Sequence, residues 1–246
     1  LRMCRLCDLP SVVRVPDCVP HLISKTLDMG ADGVLIPRVE RMEQVETAIR
    51  CARYYPRGRK GCGGFSNLRA EDMGSVETYN DNRMIFIQME SNEGLEILPE
   101  ILEKYGKELA GVLIGPYDAS IMIGTPLDIL SDAMTDYIRK VFEICNDYGI
   151  ACGSFVDGPA LIARYRDLGA NVYWTGTDIG MLCTGFKITC DTLKEIIQDV
   201  GDLLGKMANG NFNVETKISE KYVGEFVSLK NSINGLNEHL SETLGL

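Results

Sequence analysis

The sequence predicts an α/β fold and, within that class, a (β/α) barrel, on three observations. Short apolar runs of strand length recur along the chain, they alternate with amphipathic helical patterns, and polar residues collect at the C-terminal ends of several runs. Runs nearly continuous in Val, Ile, Leu and Phe mark strands buried on both faces, the condition of a parallel sheet. The intervening helices supply the crossovers that parallel neighbours require. Polar groups at the ends of different strands separate a barrel from a doubly wound sheet, because every loop on that face of a barrel opens into one pocket.

In chain order the strand runs are SVVRVP (11–16), GVLIP (33–37), MIFIQME (84–90), GVLIGPYD (111–118), IACGSFVD (150–157) and VYWTGTD (172–178). Between them lie the helix patterns PHLISKTLDMGA, VERMEQVETAIRCARYY, LEILPEILEKYG and DAMTDYIRKVFEICNDYG. Gly30, Gly106, Gly149 and Gly169 stand where a helix would close on a left-handed residue. The strand ends carry Arg14, Glu90, Asp118, Asp157 and Asp178. Six strands are visible, whereas a closed (β/α)8 TIM-type barrel takes eight. The other two would most naturally precede residue 1, and a first residue that is Leu, not Met, suggests a fragment or processed chain.

From about Asp191 the pattern changes. DTLKEIIQDVGDLLGKMA is helical with no buried strand after it, and it breaks at NGNFNV (209–214). A second helix follows, with Phe226, Leu229, Ile233, Leu236, Leu240 and Leu244 spaced alternately by three and four, a stripe suited to a coiled-coil partner or to packing on the chain's own barrel. The expected organisation is a barrel domain over 1–190 and a helical dimerisation segment over 191–246.

Composition narrows the function classes. A chain of 246 residues with 45% hydrophobic content can bury one large core. A net charge of −10 and no Lys/Arg cluster argue against a nucleic-acid surface. No stretch approaches the roughly 18 apolar residues of a membrane span, and LRMCRLCDLP lacks the apolar core of a signal peptide, so a cytoplasmic location is expected. Nine cysteines, an odd number spread from Cys4 to Cys190, fit reduced thiols, the Cys4-Arg-Leu-Cys7 pair included. The glycines of GRKGCGG (58–64) follow a helix and open no clear second one, which weakens a dinucleotide-binding reading.

Glu90 and Asp118 end neighbouring predicted strands, so their carboxylates can share one rim. Two such charges repel unless a cation joins them, and a hard divalent ion such as Mg²⁺ or Mn²⁺ takes oxygen ligands while keeping positions for water or substrate. The alternative is that one or both cap the helices that follow. Arg14, in the Val-rich run VVRV, would need an anion if buried, whether a ligand oxygen or a barrel carboxylate. Gln88 shares Glu90's side of the strand and could orient it or touch ligand. His21 and His239 are the only histidines, and neither is placed as a general base.

The segment PSVVRVPDCVPHLISKTLDMGADGVLIPRVERMEQVETAIRCARYYPRGRKGCGG, followed by IFIQMES and GVLIGPYDAS, resembles the HpcH/HpaI aldolase/citrate lyase family over roughly residues 8 to 184. The resemblance implies a barrel of the phosphoenolpyruvate/pyruvate type that cleaves C–C bonds of 2-oxo acids, pyruvate or an oxaloacetate-like compound, with a divalent metal. It implies Glu90 and Asp118 as metal ligands and Arg14 as the group that stabilises the pyruvate enolate. Gln88, Gly115, Pro116 and Tyr117 are expected at the substrate, where backbone amides in the loop around Gly115 to Ser120 could receive the carboxylate. Two departures stand out. The family's first two strands, with the Asp and Glu-His pair of its proton-transfer base, have no counterpart here, and Lys60 stands where the family usually has Arg. The tail GKMANGNFNVETKISEKYVGEFVSLKNSINGLNEHL resembles a HAMP signalling segment of the methyl-accepting chemotaxis type, with Gly210 in its connector and Glu225 opening its second helix. That likeness implies a homodimer and a downstream signalling domain, and leaves a non-catalytic 2-oxo-acid sensor as the alternative to an enzyme.

Overall fold

A computed structural model describes residues 1–64 and 66–245, which divide into two compact units, Leu1–Thr175 and Gly176–Leu246. The first contains a six-stranded sheet: β1 (Val12–Arg14), β2 (Gly33–Ile36), β3 (Met84–Met89), β4 (Gly111–Ile114), β5 (Cys152–Val156) and β6 (Val172–Thr175). Every neighbouring pair is parallel and the strand order follows the sequence without reversal. A doubly wound sheet reverses its order at a switch point. This sheet has no such point and winds in one sense, as a TIM-type barrel does.

After a short α1 (Arg2–Leu6), the crossovers are α2 (Pro20–Asp28), α3 (Met42–Ala52), α4 (Val76–Asn82), α5 (Asn92–Tyr105), α6 (Pro116–Met122), α7 (Asp132–Asp147) and α8 (Pro159–Asp167). Strand parity divides the sheet into two faces. Val34, Ile36, Ile85, Ile87, Met89, Val112, Ile114 and Val156 lie on the helix-covered face and are fully buried beside Leu27, Leu98, Ile101 and Phe142. Buried apolar area of this kind is worth roughly 25 cal/mol per Å² and is what holds helix to strand. The opposite face carries Arg14, Leu35, Gln88, Leu113, Phe155 and Trp174, which share a side through the pairs Arg14–Leu35, Gln88–Leu113 and Phe155–Trp174.

Several expectations change. GVLIGPYD does not continue as a strand to Asp118: Pro116 takes the first position of α6, where its fixed φ and missing N–H suit a helix start, so Asp118 lies in the first helical turn. Likewise Thr177 caps a helix through its side chain and Asp178 is that helix's first residue. Arg14 is exposed, because β1 forms one edge of the sheet and covers only three residues. Gly30, Gly149 and Gly169 are left-handed, but Gly106 is right-handed and begins a 3₁₀ turn.

The second unit comprises α9 (Asp178–Ala208), a connector with a 3₁₀ turn at Ser219–Lys221, and α10 (Glu225–Leu244). α9 runs unbroken through residue 190, where the sequence expectation sets its boundary. Leu203, Met207, Val214 and Ile233 form a small core with Val200, Phe212 and Leu240, whereas Leu229, Leu236 and Leu244 are exposed. No helix among the described residues is long and apolar enough to cross a membrane.

Candidate active site

Glu90 follows the last residue of β3, on the face away from the covering helices, and is 1% exposed. Its backbone is fixed from behind. Ser91 caps α5 by accepting from the Gly94 N–H at 3.2 Å, and the Tyr137 hydroxyl donates to the Ser91 carbonyl at 3.0 Å. One carboxylate oxygen, Oε2, accepts from the Arg38 N–H at 3.1 Å. The other, Oε1, is buried without a partner. A buried carboxylate oxygen left unsatisfied is costly, so such an atom marks a place where something else is meant to bind. The carboxyl pKa is pushed up from 4.5 to about 7, first by burial and then by the negative charge of Asp118, against the pull of Arg14 and Arg38.

Arg14 is brought to the same place by hydrogen bonding and not by burial. Its Nε donates to Gln88 Oε1 at 3.0 Å, while its two terminal nitrogens have no acceptor among the described residues. Gln88 is buried and its carbonyl accepts from the Val39 N–H at 3.1 Å, which ties the turn after β2 to β3. Gly115 completes the floor. A Cβ there would come within 2.2 Å of Glu90 Oε1 and 2.4 Å of Gln88 Nε2, so only glycine leaves room for both side chains. Pro116 has no N–H to offer an anion, and Ala119 N already donates to the Gly115 carbonyl, which leaves the amides of Tyr117 and Asp118 in the first turn of α6. Asp118 is exposed, and the N-cap Gly115 makes no side-chain bond.

Glu90, Gln88, Arg14 and Gly115 thus meet, with Asp118 close enough to act on Glu90 electrostatically. Asp157 and Asp178 are both exposed. Lys60 lies elsewhere. Its buried ammonium pairs with Asp28, donates to the Gly61 carbonyl at 3.0 Å and sits 5.1 Å from the centre of the Tyr54 ring. α2 runs from the end of β1 back to the start of β2, so Asp28 and Lys60 belong to the opposite rim from Glu90. His21 is exposed and lines a groove with Ser24, Thr47 and Arg50, and His239 is exposed on α10.

Sequence reasoning missed Arg38, whose contribution is a backbone N–H aimed by a left-handed φ of 44°. The one available sign was a polar pair, Arg38 and Glu40, directly after a fully buried strand. It also passed over Phe155 and Trp174, which parity along β5 and β6 would have placed on the site's face.

Among the described residues no three His, Cys, Asp or Glu side chains converge. Glu90 Oε1, buried without a partner, and the Asp118 carboxylate that acts on it electrostatically are oxygen donors of the kind a hard divalent cation takes. A hard cation bound by two carboxylates keeps positions for water and for the oxygens of a ligand.

The family model described as HpcH/HpaI aldolase/citrate lyase matches residues 1–184. A hydroxypyruvate/pyruvate aldolase from Roseovarius nubinhibens is 35% identical over 175 residues, covering 70% of this chain and 67% of its own. A 5-keto-4-deoxy-D-glucarate aldolase from Salmonella arizonae is 31% identical over 188 residues, 75% of this chain and 72% of its own. The crystal structure of an HpcH/HpaI aldolase/citrate lyase family protein from Burkholderia cenocepacia is 26% identical, with a TM-score of 0.68 over 78% of this chain and 77% of that one. That of an HpcH/HpaI aldolase from Desulfitobacterium hafniense, at 24% identity and a TM-score of 0.68 over 78% and 75%, shares the fold.

Proposed function

The chain belongs to the HpcH/HpaI aldolase/citrate lyase family, and from that premise we propose that its first unit is a metal-dependent C–C lyase domain acting on 2-oxo acids of the pyruvate type. The observation that carries this reading is Glu90: a buried carboxylate with an unpartnered oxygen, held beside Asp118 and across from the free guanidinium end of Arg14. Glu90 and Asp118 would hold Mg²⁺ or Mn²⁺, which, when bound, supplies Lewis-acid polarisation of a keto oxygen.

The chain's own groups do the rest. As the C–C bond of a 4-hydroxy-2-oxo acid breaks, its electron pair moves onto the keto oxygen, and Arg14 supplies two unengaged donors for that developing charge. Gln88 keeps Arg14 in place through Nε, so the guanidinium needs no reorganisation during the reaction. Gly115 leaves room for the Gln88 and Glu90 side chains, and the amides of Tyr117 and Asp118 offer donors to the carboxylate of the oxo acid.

The direct test is exchange of pyruvate methyl protons with deuterium oxide, which requires only the enolate half of the reaction. Metal-dependent exchange that disappears in Arg14→Met and Glu90→Gln supports the lyase. Binding of pyruvate with no exchange in the protein containing residues 1–246 sinks catalysis and favours the second reading, a 2-oxo-acid sensor. That reading has its own supporting observation: α10 exposes half of an apolar stripe that a HAMP-like homodimer would cover. In the lyase reading the segment around α9 and α10 is a HAMP-like dimerisation element, and in the sensor reading it also passes occupancy to a signalling partner.

A further inference from the structure

We infer that Tyr117, Phe155 and Trp174 form the acceptor wall of the pocket and select an aldehyde that carries a flat aromatic group over a polyhydroxylated one. This assignment rests on the lyase reading of the same site for its chemistry, but on independent residues for its geometry. The rings form a continuous row from the first turn of α6 across β5 and β6, with centroids 6.4 Å apart for Tyr117–Phe155 and 6.5 Å for Phe155–Trp174, both tilted.

The row begins where the oxo-acid site ends. Ile114 pairs with Ser154, so the next step in register sets Gly115 beside Phe155. Gly115 therefore has Gln88 and Glu90 on one flank and the first ring of the β5–β6 wall on the other. With the oxo acid on the β1–β3 flank, where Arg14 is held by Gln88, the carbon that forms or loses the new bond would face the rings.

The strand positions on this flank are Gly153, Phe155, Val172 and Trp174, and with Tyr117 their side chains offer two hydrogen-bonding groups, the Trp174 indole N–H and the Tyr117 hydroxyl. Asp157 is exposed beyond the end of β5. Hydroxyls lining an incoming aldehyde would give up water here with few partners in return. A ring would instead meet ring faces and edges in the tilted geometries that aromatic groups prefer. Phe155 and Trp174 are only partly buried and Tyr117 is 47% exposed, so their surfaces remain open to a ligand.

The step itself balances without a further reagent. In the addition direction the enolate carbon of pyruvate bonds to the aldehyde carbon as the enolate returns to a keto group, the aldehyde π pair moves to oxygen, and that oxygen takes one proton from water. In cleavage the same bond breaks, its electron pair forms the enolate, and the hydroxyl proton passes to water. The wall takes part in neither proton transfer; it orients the aldehyde.

Trp174 is the chain's single tryptophan, so its emission reports the wall without requiring turnover. Benzaldehyde and glyceraldehyde are each titrated into the chain of residues 1–246, wild type, Phe155→Leu and Tyr117→Leu, with pyruvate methyl exchange recorded on the same samples. The expected result is a saturable change with benzaldehyde, at least tenfold weaker with glyceraldehyde, and binding weakened about three- to tenfold by each variant. An equal or stronger response to glyceraldehyde, or benzaldehyde binding that neither variant alters, overturns the wall. Wild-type exchange with no benzaldehyde response likewise discards the wall and keeps the lyase. The expected fluorescence pattern without exchange keeps the aromatic site and discards the lyase.

Discussion

At the scale of single residues, Glu90 combines the features that make a carboxylate reactive: burial, a like charge nearby and one oxygen without a donor. Its raised pKa has a thermodynamic consequence whose sign is fixed. Between pH 4.5 and about 7 the folded chain keeps a proton that the unfolded chain has released, so without metal, stability is greatest at the acid end and falls as pH rises through 7. The full effect is roughly 3 kcal/mol. Denaturant midpoints measured in chelator from pH 5 to 8 should fall for wild type and stay flat for Glu90→Gln. Asp118→Asn removes the second contribution and should move the fall to lower pH. Metal affinity should run the other way, rising with pH as Glu90 loses its proton. Glu90 was legible in the sequence because a charge ending a buried strand is conspicuous, and Gln88 followed by parity. Arg38 was not, since its role lies in a backbone N–H and a φ that no side-chain pattern encodes.

At the scale of elements, the turn from β4 into α6 matters most. The run GVLIGPYD reads as one strand by hydropathy, yet Pro116 ends it early and starts a helix, which swings Asp118 off the strand while keeping it near Glu90. Gly115→Ala should cost about 1 to 3 kcal/mol in a urea melt, because its methyl group has no space beside Glu90 and Gln88, and should abolish pyruvate binding. The Lys60–Asp28 pair offers the contrasting case. Lys60→Met strands Asp28 and should destabilise by several kcal/mol with pyruvate affinity per folded molecule unchanged, since this pair sits at the other rim. The segment between α3 and β3 was opaque to sequence reasoning because its order comes from buried ion pairs, Arg83 with Asp72 and Arg53 with Glu108, and from Arg53 donating to the Arg83 carbonyl, not from periodicity.

At the scale of the whole molecule, strand count, order and parallel direction were legible, because buried parallel strands leave continuous apolar runs that survive without knowledge of their partners. The exposure of Arg14 was not, since it depends on β1 lying at one edge of the sheet. The stripe on α10 was legible as a pattern, and the chain covers only part of it: Ile233 is buried while Leu229, Leu236 and Leu244 are exposed. A parallel dimer would cover the remainder, so sedimentation of the intact chain should give a dimer at micromolar concentration that Leu229→Asp with Leu236→Asp converts to monomer. A wild-type monomer would remove the HAMP-like reading and leave the sheet and its site untouched. The metal site at Glu90 is tested by isothermal titration of pyruvate into the chain with Mg²⁺ or Mn²⁺, beside Glu90→Ala. Binding should require the metal and be lost in the variant, whereas binding without metal, or binding that the substitution leaves unchanged, would rule the site out.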